Sequence, residues 1–169
     1  LAKNYSDGGA DELLLYNFSK DEKTKEDFLK LAKEISKIID VPFITGCHIN
    51  NFDDIKRALY TGSSGILFAF SALNNPDLIK EASLRFGENK IYLDVDYENL
   101  LESCNIFERC KDLGIGCLVI SNVSISGLFY DIIGKSPVPV IIRDSLKDND
   151  IRDLLNPPVV SGITTDFYL

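Results

Sequence analysis

Seven short apolar runs alternate with segments whose apolar residues recur at helical spacing, and no other feature constrains the fold of this chain as tightly. The runs cover residues 12–16, 41–45, 65–69, 91–95, 117–120, 138–142 and 159–163. Several are continuous rather than alternating, as expected of strands covered on both faces. Pro42 suits only the first residues of its strand, because it brings no amide hydrogen to a ladder. Between the runs the spacing predicts helices over residues 25–38, 53–60, 75–86, 98–113, 125–133 and 148–155, with a short one over 1–7 ahead of the first strand. Gly62, Gly87 and Gly114 stand where helices stop, and Pro76 stands in a first turn.

Strand and helix in strict alternation imply a parallel sheet with right-handed crossovers. Two closures compete, an open doubly wound sheet and a closed (βα)8 barrel. A dinucleotide-binding sheet would carry G-x-G-x-x-G after a strand, and the chain has none. An ordered internal repeat favours the barrel. Gly9 to Asn17 matches Gly114 to Asn122: a glycine, an apolar block, then asparagine. Val41-Pro42-Phe43-Ile44 matches Val138-Pro139-Val140-Ile141, and Asp54-Ile55-Lys56-Arg57-Ala58-Leu59 matches Asp150-Ile151-Arg152-Asp153-Leu154-Leu155. The expectation is a single barrel domain over residues 1–169 made of two half-barrel repeats, roughly 1–96 and 97–169. A barrel takes eight strands, so one is absent from this chain, and the front is its natural place. The start at Leu1 and the apolar end read as cuts from a longer protein on both sides.

Composition narrows the function classes. Apolar residues at 45% and charged residues at 26% exclude a disordered chain. No apolar stretch reaches the roughly 20 residues of a membrane helix. A net charge of −8 gives no general attraction for nucleic acid or anionic lipid. Cys47, Cys104, Cys110 and Cys117 form no C-x-x-C pair and read as free, mostly buried thiols of a cytoplasmic protein. With His48 the only histidine, metal ligation has almost no donor set, so neither metal nor cofactor is expected. His48 next to Cys47 is a rim acid–base candidate or an ordinary loop histidine, and neighbouring strand-end residues point to opposite faces, which works against a Cys–His couple. The charged run 20–37 reads as a solvated helix face, and Phe18, Phe68 and Phe70 read as barrel filling.

The segments Leu1-Ala2-Lys3-Asn4-Tyr5, Gly9-Ala10-Asp11-Glu12-Leu13, Asn51-Phe52-Asp53-Asp54-Ile55, Asn75-Pro76-Asp77-Leu78-Ile79 and Phe86-Gly87 resemble the imidazole glycerol phosphate synthase cyclase family, a histidine-biosynthesis phosphoribosyl barrel. The likeness is good to Asp96, thinner from Gly114 onward, and covers family strands two to eight. It implies acid–base chemistry by paired aspartates at the C-terminal rim, one of them on the missing strand and the other at Asp96. Asp96 reads equally as a helix N-cap, with Asp94 pointing into the barrel two residues earlier. Two further family aspartates correspond to Asn17 and Ser124, which hydrogen-bond but take up no proton near neutral pH.

The phosphate grips implied by the resemblance are altered as well. Gly46 remains in Gly46-Cys47-His48, but two glycines are replaced; an asparagine–threonine pair reads Ala69-Phe70; and a glycine loop reads Asp144-Ser145-Leu146-Lys147, with a carboxylate in the place of a phosphate. Thr164 and Thr165 keep anion-binding hydroxyls, with Lys147 and Arg143 as charges. The resemblance therefore implies a cyclase-like barrel domain without its reaction. Its expected role is scaffold or phosphorylated sugar-nucleotide binder ahead of C-terminal phosphoribosyl-AMP cyclohydrolase and phosphoribosyl-ATP diphosphatase domains. The alternatives are an active cyclase and a phosphosugar-binding module. Unpaired edges beside the missing strand point to a homodimer.

Overall fold

The computed structural model describes residues 1–103, 105–155 and 159–164. Seven strands lie in one sheet in sequence order, every neighbouring pair parallel: β1 (Leu13–Asn17), β2 (Phe43–Cys47), β3 (Gly65–Phe68), β4 (Ile91–Asp96), β5 (Cys117–Ser121), β6 (Val140–Arg143) and β7 (Gly162–Thr164). The helices are α1 (Ala2–Asp7), α2 (Glu22–Ile35), α3 (Phe52–Leu59), α4 (Pro76–Phe86), α5 (Tyr97–Glu102), α6 (Ile106–Leu113), α7 (Gly127–Ile133) and α8 (Asp148–Leu155). Repeating βα units with sequential parallel neighbours are the (βα)8 plan with seven of its strands. The segments that match in sequence are β1 and β5, β2 and β6, α3 and α8.

The sheet curls. In a flat sheet β1 and β6 would lie about 24 Å apart, five spacings of about 4.8 Å. Instead the Arg143 guanidinium on β6 donates to the Tyr16 hydroxyl on β1 at 3.1 Å and sits 4.9 Å from the centre of its ring. The ladders separate two layers. Ile44, Leu67 and Val119, with Leu14, Phe18, Tyr92 and Ile141, fill the inside of the curl. The larger core lies outside, where Ile66, Phe68, Leu93, Leu118, Ile120 and Ile142 meet the helices. Period-two alternation assigns each strand residue to one layer.

Local chemistry sets the ends of the elements. Asp21 caps α2 by accepting from the Thr24 amide, Asn51 caps α3 through the Asp53 and Asp54 amides, and Ser126 caps α7 through the Phe129 amide. Gly114 ends α6 at φ 67°, where a Cβ would also strike the Ser83 side chain. Gly46 faces the lumen with its Cα pressed between strands: a Cβ there would meet the Tyr16 Cβ at 2.8 Å and the Leu67 Cβ at 3.2 Å.

Four expectations need correction. The helix expected over 98–113 is two helices, α5 and α6, parted at Ser103 and Asn105, polar residues that compete for backbone hydrogen bonds. The run 20–37 is not wholly solvated: Lys25 is 2% exposed and reaches the Asp54 carboxylate at 2.9 Å. Among the three phenylalanines only Phe18 joins the lumen cluster, because Phe68 and Phe70 have the opposite facing and pack under helices. The last strand begins at Gly162, after a bend, and not at Val159.

Candidate functional site

Ladder register places Asp96 beside Ser121, Ser121 beside Arg143, and Arg143 beside Thr164. These four residues, at the C-terminal ends of β4 to β7, form one row around the mouth of the curl. The row beneath it runs Asp94, Val119, Ile141, Gly162, and a lower one runs Tyr16, Gly46, Leu67, Tyr92, Cys117. Polar side chains at the mouth over apolar filling is the expected distribution when βα loops build a site.

Arg143 dominates the mouth. Its Nη2 donates to both oxygens of Asp94, at 2.8 and 3.1 Å, and its Nη1 to Tyr16. Its Nε–H is buried and has no partner among the described residues. Burial pushes the Asp94 carboxyl above the ordinary carboxylate range; the Arg143 hydrogen bond opposes this without overcoming it, and the nearby Asp96 charge adds to it. Thus Arg143 ties β6, β4 and β1 together across the lumen just below the rim.

Asp96 has both oxygens engaged. Oδ1 accepts from the Glu98 amide at 2.9 Å and caps α5, while Oδ2 accepts from the Asn122 side-chain amide at 2.5 Å. Asn122 holds a left-handed backbone, φ 54°, immediately after β5. The sequence marks Asn122 as the asparagine closing a repeat, not as a partner of Asp96; asparagine directly after an apolar run is a residue type that tolerates φ > 0. The Asp144 carboxylate lies between two loops, accepting from the Val123 amide at 2.8 Å and the Ser145 amide at 2.8 Å.

The other expected site residues are scattered. Asn17 has the helix-facing parity of β1 and accepts from the Ser19 amide, so it stands outside the mouth row. Ser124 is exposed on the loop ahead of α7. Gly46 is buried in the lumen below the mouth, Lys147 is exposed on the loop before α8, and Thr164 is in the mouth row. Thr165 lies outside the described residues. Cys47 faces the helices among Leu29 and Ala58, with its thiol pushed up to about 11 by burial and by the Asp54 charge, and His48 follows it half-buried. Among the described residues no group of three His, Cys, Asp or Glu is placed to hold a metal ion, and no helix is long and apolar enough to cross a membrane.

A second ion pair, this one buried, lies on the helix side. Lys25 donates to Asp54 Oδ1 at 2.9 Å and to Glu22 at 2.8 Å, and Asp54 Oδ2 accepts from the Asn50 amide. This pins the start of α2 to the start of α3 and fixes two of the mouth loops.

A family model described as histidine biosynthesis protein matches residues 1–127. Similar proteins include the imidazole glycerol phosphate synthase subunit HisF of Oceanobacillus iheyensis, 31% identical over 121 residues, covering 70% of this chain and 48% of the relative. The subunit of the same name from Bacteroides thetaiotaomicron is 35% identical over 96 residues, 57% of this chain and 38% of the relative. That from Natranaerobius thermophilus is 30% identical over 182 residues, 99% of this chain and 70% of the relative. The chain spans about half the length of the first two or less.

Proposed function

This chain belongs to the histidine biosynthesis protein family, and from that premise we propose that it is a HisF-like barrel domain whose mouth no longer carries out ring-forming lyase chemistry. Its role in this reading is cytoplasmic scaffold, or weak holder of a phosphorylated sugar-nucleotide ligand. The polypeptide that contains it would carry phosphoribosyl-AMP cyclohydrolase and phosphoribosyl-ATP diphosphatase activities elsewhere.

One observation carries the reading: the carboxylate of Asp144 already occupies the backbone amides of Val123 and Ser145. Loop amides that face an anion hold a phosphate by the same bonds. Here the chain supplies its own anion, and an incoming phosphate meets a negative charge and spent donors. The mouth row adds support. Asp96 is its only carboxylate, with one oxygen bound to a backbone amide and the other to Asn122. The sole cation of the row, Arg143, is neutralised by Asp94. Acid–base catalysis needs a group free to exchange its proton with substrate. Thr164 and Lys147 remain for a weak anion contact.

The test is ammonia-dependent cyclase turnover of the intact protein beside its Asp96→Asn variant. The expected result is equal background in both. Turnover that disappears on Asp96→Asn would establish the active-cyclase alternative and overturn the proposal.

A further inference from the structure

We propose that Asn122 and Asp144 form a strap across the mouth that holds the carboxylate of Asp96 in place from as far as two strands away, which makes both of them positioning residues for it. The inference draws on the Asp144 contacts described above, but not on loss of the reaction.

The strap begins where the main-chain ladders stop. The last pair between β4 and β5 is Asp96 with Ser121, and the last between β5 and β6 is Ser121 with Arg143. Asn122 and Asp144 each stand one residue beyond, at the head of the sheet. Past that point a loop amide has no ladder to join and needs another acceptor. Asp144 supplies one: Oδ2 accepts from the Val123 amide on the neighbouring loop and Oδ1 from the Ser145 amide on its own, both at 2.8 Å. Val123 and Ile125 on one loop and Leu146 on the other pack against the main core. The carboxylate therefore clamps two loops whose apolar side chains are already seated.

Asn122 carries the clamp to β4. The peptide group joining Asn122 to Val123 is planar, so holding the Val123 N–H also fixes ψ of Asn122. At φ 54° Asn122 has the left-handed conformation that asparagine and glycine adopt at least cost. In that turn its side-chain amide donates to Oδ2 of Asp96, while Oδ1 caps α5 through the Glu98 amide. The path from the Ser145 amide to the Glu98 amide thus crosses the ends of β6, β5 and β4 without a gap.

The consequence falls on the one carboxylate of the mouth row. With the strap closed, Asp96 is held against the start of α5 with both oxygens engaged. With it open, one oxygen is released and the side chain can turn toward the lumen. The strap is a restraining contact on Asp96, and Asp144 sets it without touching Asp96.

Hydrogen exchange read by NMR on the native chain tests this at the amides of Glu98, Val123 and Ser145. Asp144→Ala should speed exchange at Val123 and Ser145 at least about tenfold, and at Glu98 at least about threefold. Asn122→Gly keeps the left-handed turn and removes only the side-chain amide. It should speed Glu98 by a similar factor and leave Ser145 within about twofold. Asp144→Asn keeps an accepting oxygen and should restore part of the protection at Val123 and Glu98. An unchanged Glu98 rate in Asp144→Ala overturns the strap, and an unchanged rate in Asn122→Gly overturns Asn122 as its middle link. Amides of β3 and β5 that quicken by the same factor as Glu98 would mean a general loss of stability, which also overturns it. Cyclase turnover enters none of these readouts, so the two proposals fail separately.

Discussion

Two ion pairs, one buried and one half-buried, differ in completeness. At Lys25–Asp54 each partner is met by its own neighbourhood: Asp54 takes Lys25 on one oxygen and the Asn50 amide on the other. Burial alone would raise the Asp54 carboxyl, but the Lys25 hydrogen bond and the Asn50 and Asn51 amides hold it below the ordinary range. At Asp94–Arg143 the balance runs the other way. Burial leaves the Asp94 carboxyl raised despite the guanidinium, and one guanidinium N–H has no acceptor among the described residues. The first pair is finished by adjacent loops, whereas the second bridges β4 and β6 across β5 and leaves one donor unmet among the described residues. A buried charge pair stabilises only when its remaining lone pairs and protons are also met.

The largest effect should come from breaking the finished pair. Asp54→Ala strands the Lys25 ammonium and should cost about 3–5 kcal/mol in denaturant unfolding; a loss below about 1 kcal/mol would remove the distinction. Its pH dependence has two limbs. Asp54 is depressed, so its contribution is present above the unfolded aspartate pKa and fades as pH falls through the folded value. Lys25 is raised, so its contribution is whole below the unfolded lysine pKa and fades as pH rises through the folded one.

Asp94→Asn should cost less, about 1–3 kcal/mol. Because the folded chain holds the Asp94 proton more tightly than the unfolded chain, wild-type stability from this group declines as pH rises through the carboxylate range. The gap between wild type and Asp94→Asn should therefore narrow from pH about 3 to pH about 7, with the titration of the Asn variant flat in this respect. Widening instead would mean that the guanidinium outweighs burial, and the two pairs would be alike.

Thiol labelling sharpens the comparison, since Cys47 lies near the finished pair and Cys117 near the lumen base. Burial lifts both, to about 11 and about 12. Alkylation of either in the native chain at pH about 8 should run at least about a hundredfold slower than in denaturant. The smallest informative change is Tyr16→Phe, which removes an acceptor for Arg143 and should cost about 0.5–1.5 kcal/mol. Glu34→Ala, which breaks an exposed pair with Lys37, should stay within about 0.5 kcal/mol and serve as the reference.

Much of the fold was legible because strand and helix patterns are local. Periodicity located every strand within about three residues, and glycine and asparagine marked several helix ends. Asp96 stands at a strand end, where it both caps α5 and faces the mouth. What was not legible depends on register. No local pattern says that Arg143 of β6 reaches Asp94 of β4 and Tyr16 of β1, because those distances exist only once the sheet has curled. The same holds for Lys25, which looks like any other lysine in a charged helix until Asp54 arrives from the next unit. Phe68 shows the converse: its composition fitted the lumen, and one step of parity put it outside.

The mouth row also bears on redesign. Residues 96, 121, 143 and 164 are successive rungs of a ladder with spacing of about 4.8 Å, so a side chain changed at one rung stands within reach of the next. A proton-exchanging pair could be installed there, for instance a carboxylate at residue 121 beside Asp96, without disturbing the Leu14–Ile44–Leu67–Val119 filling below. Chemistry and foundation are joined only through Arg143, which bonds Asp94 and Tyr16 below, so rungs 96, 121 and 164 are the ones to rebuild.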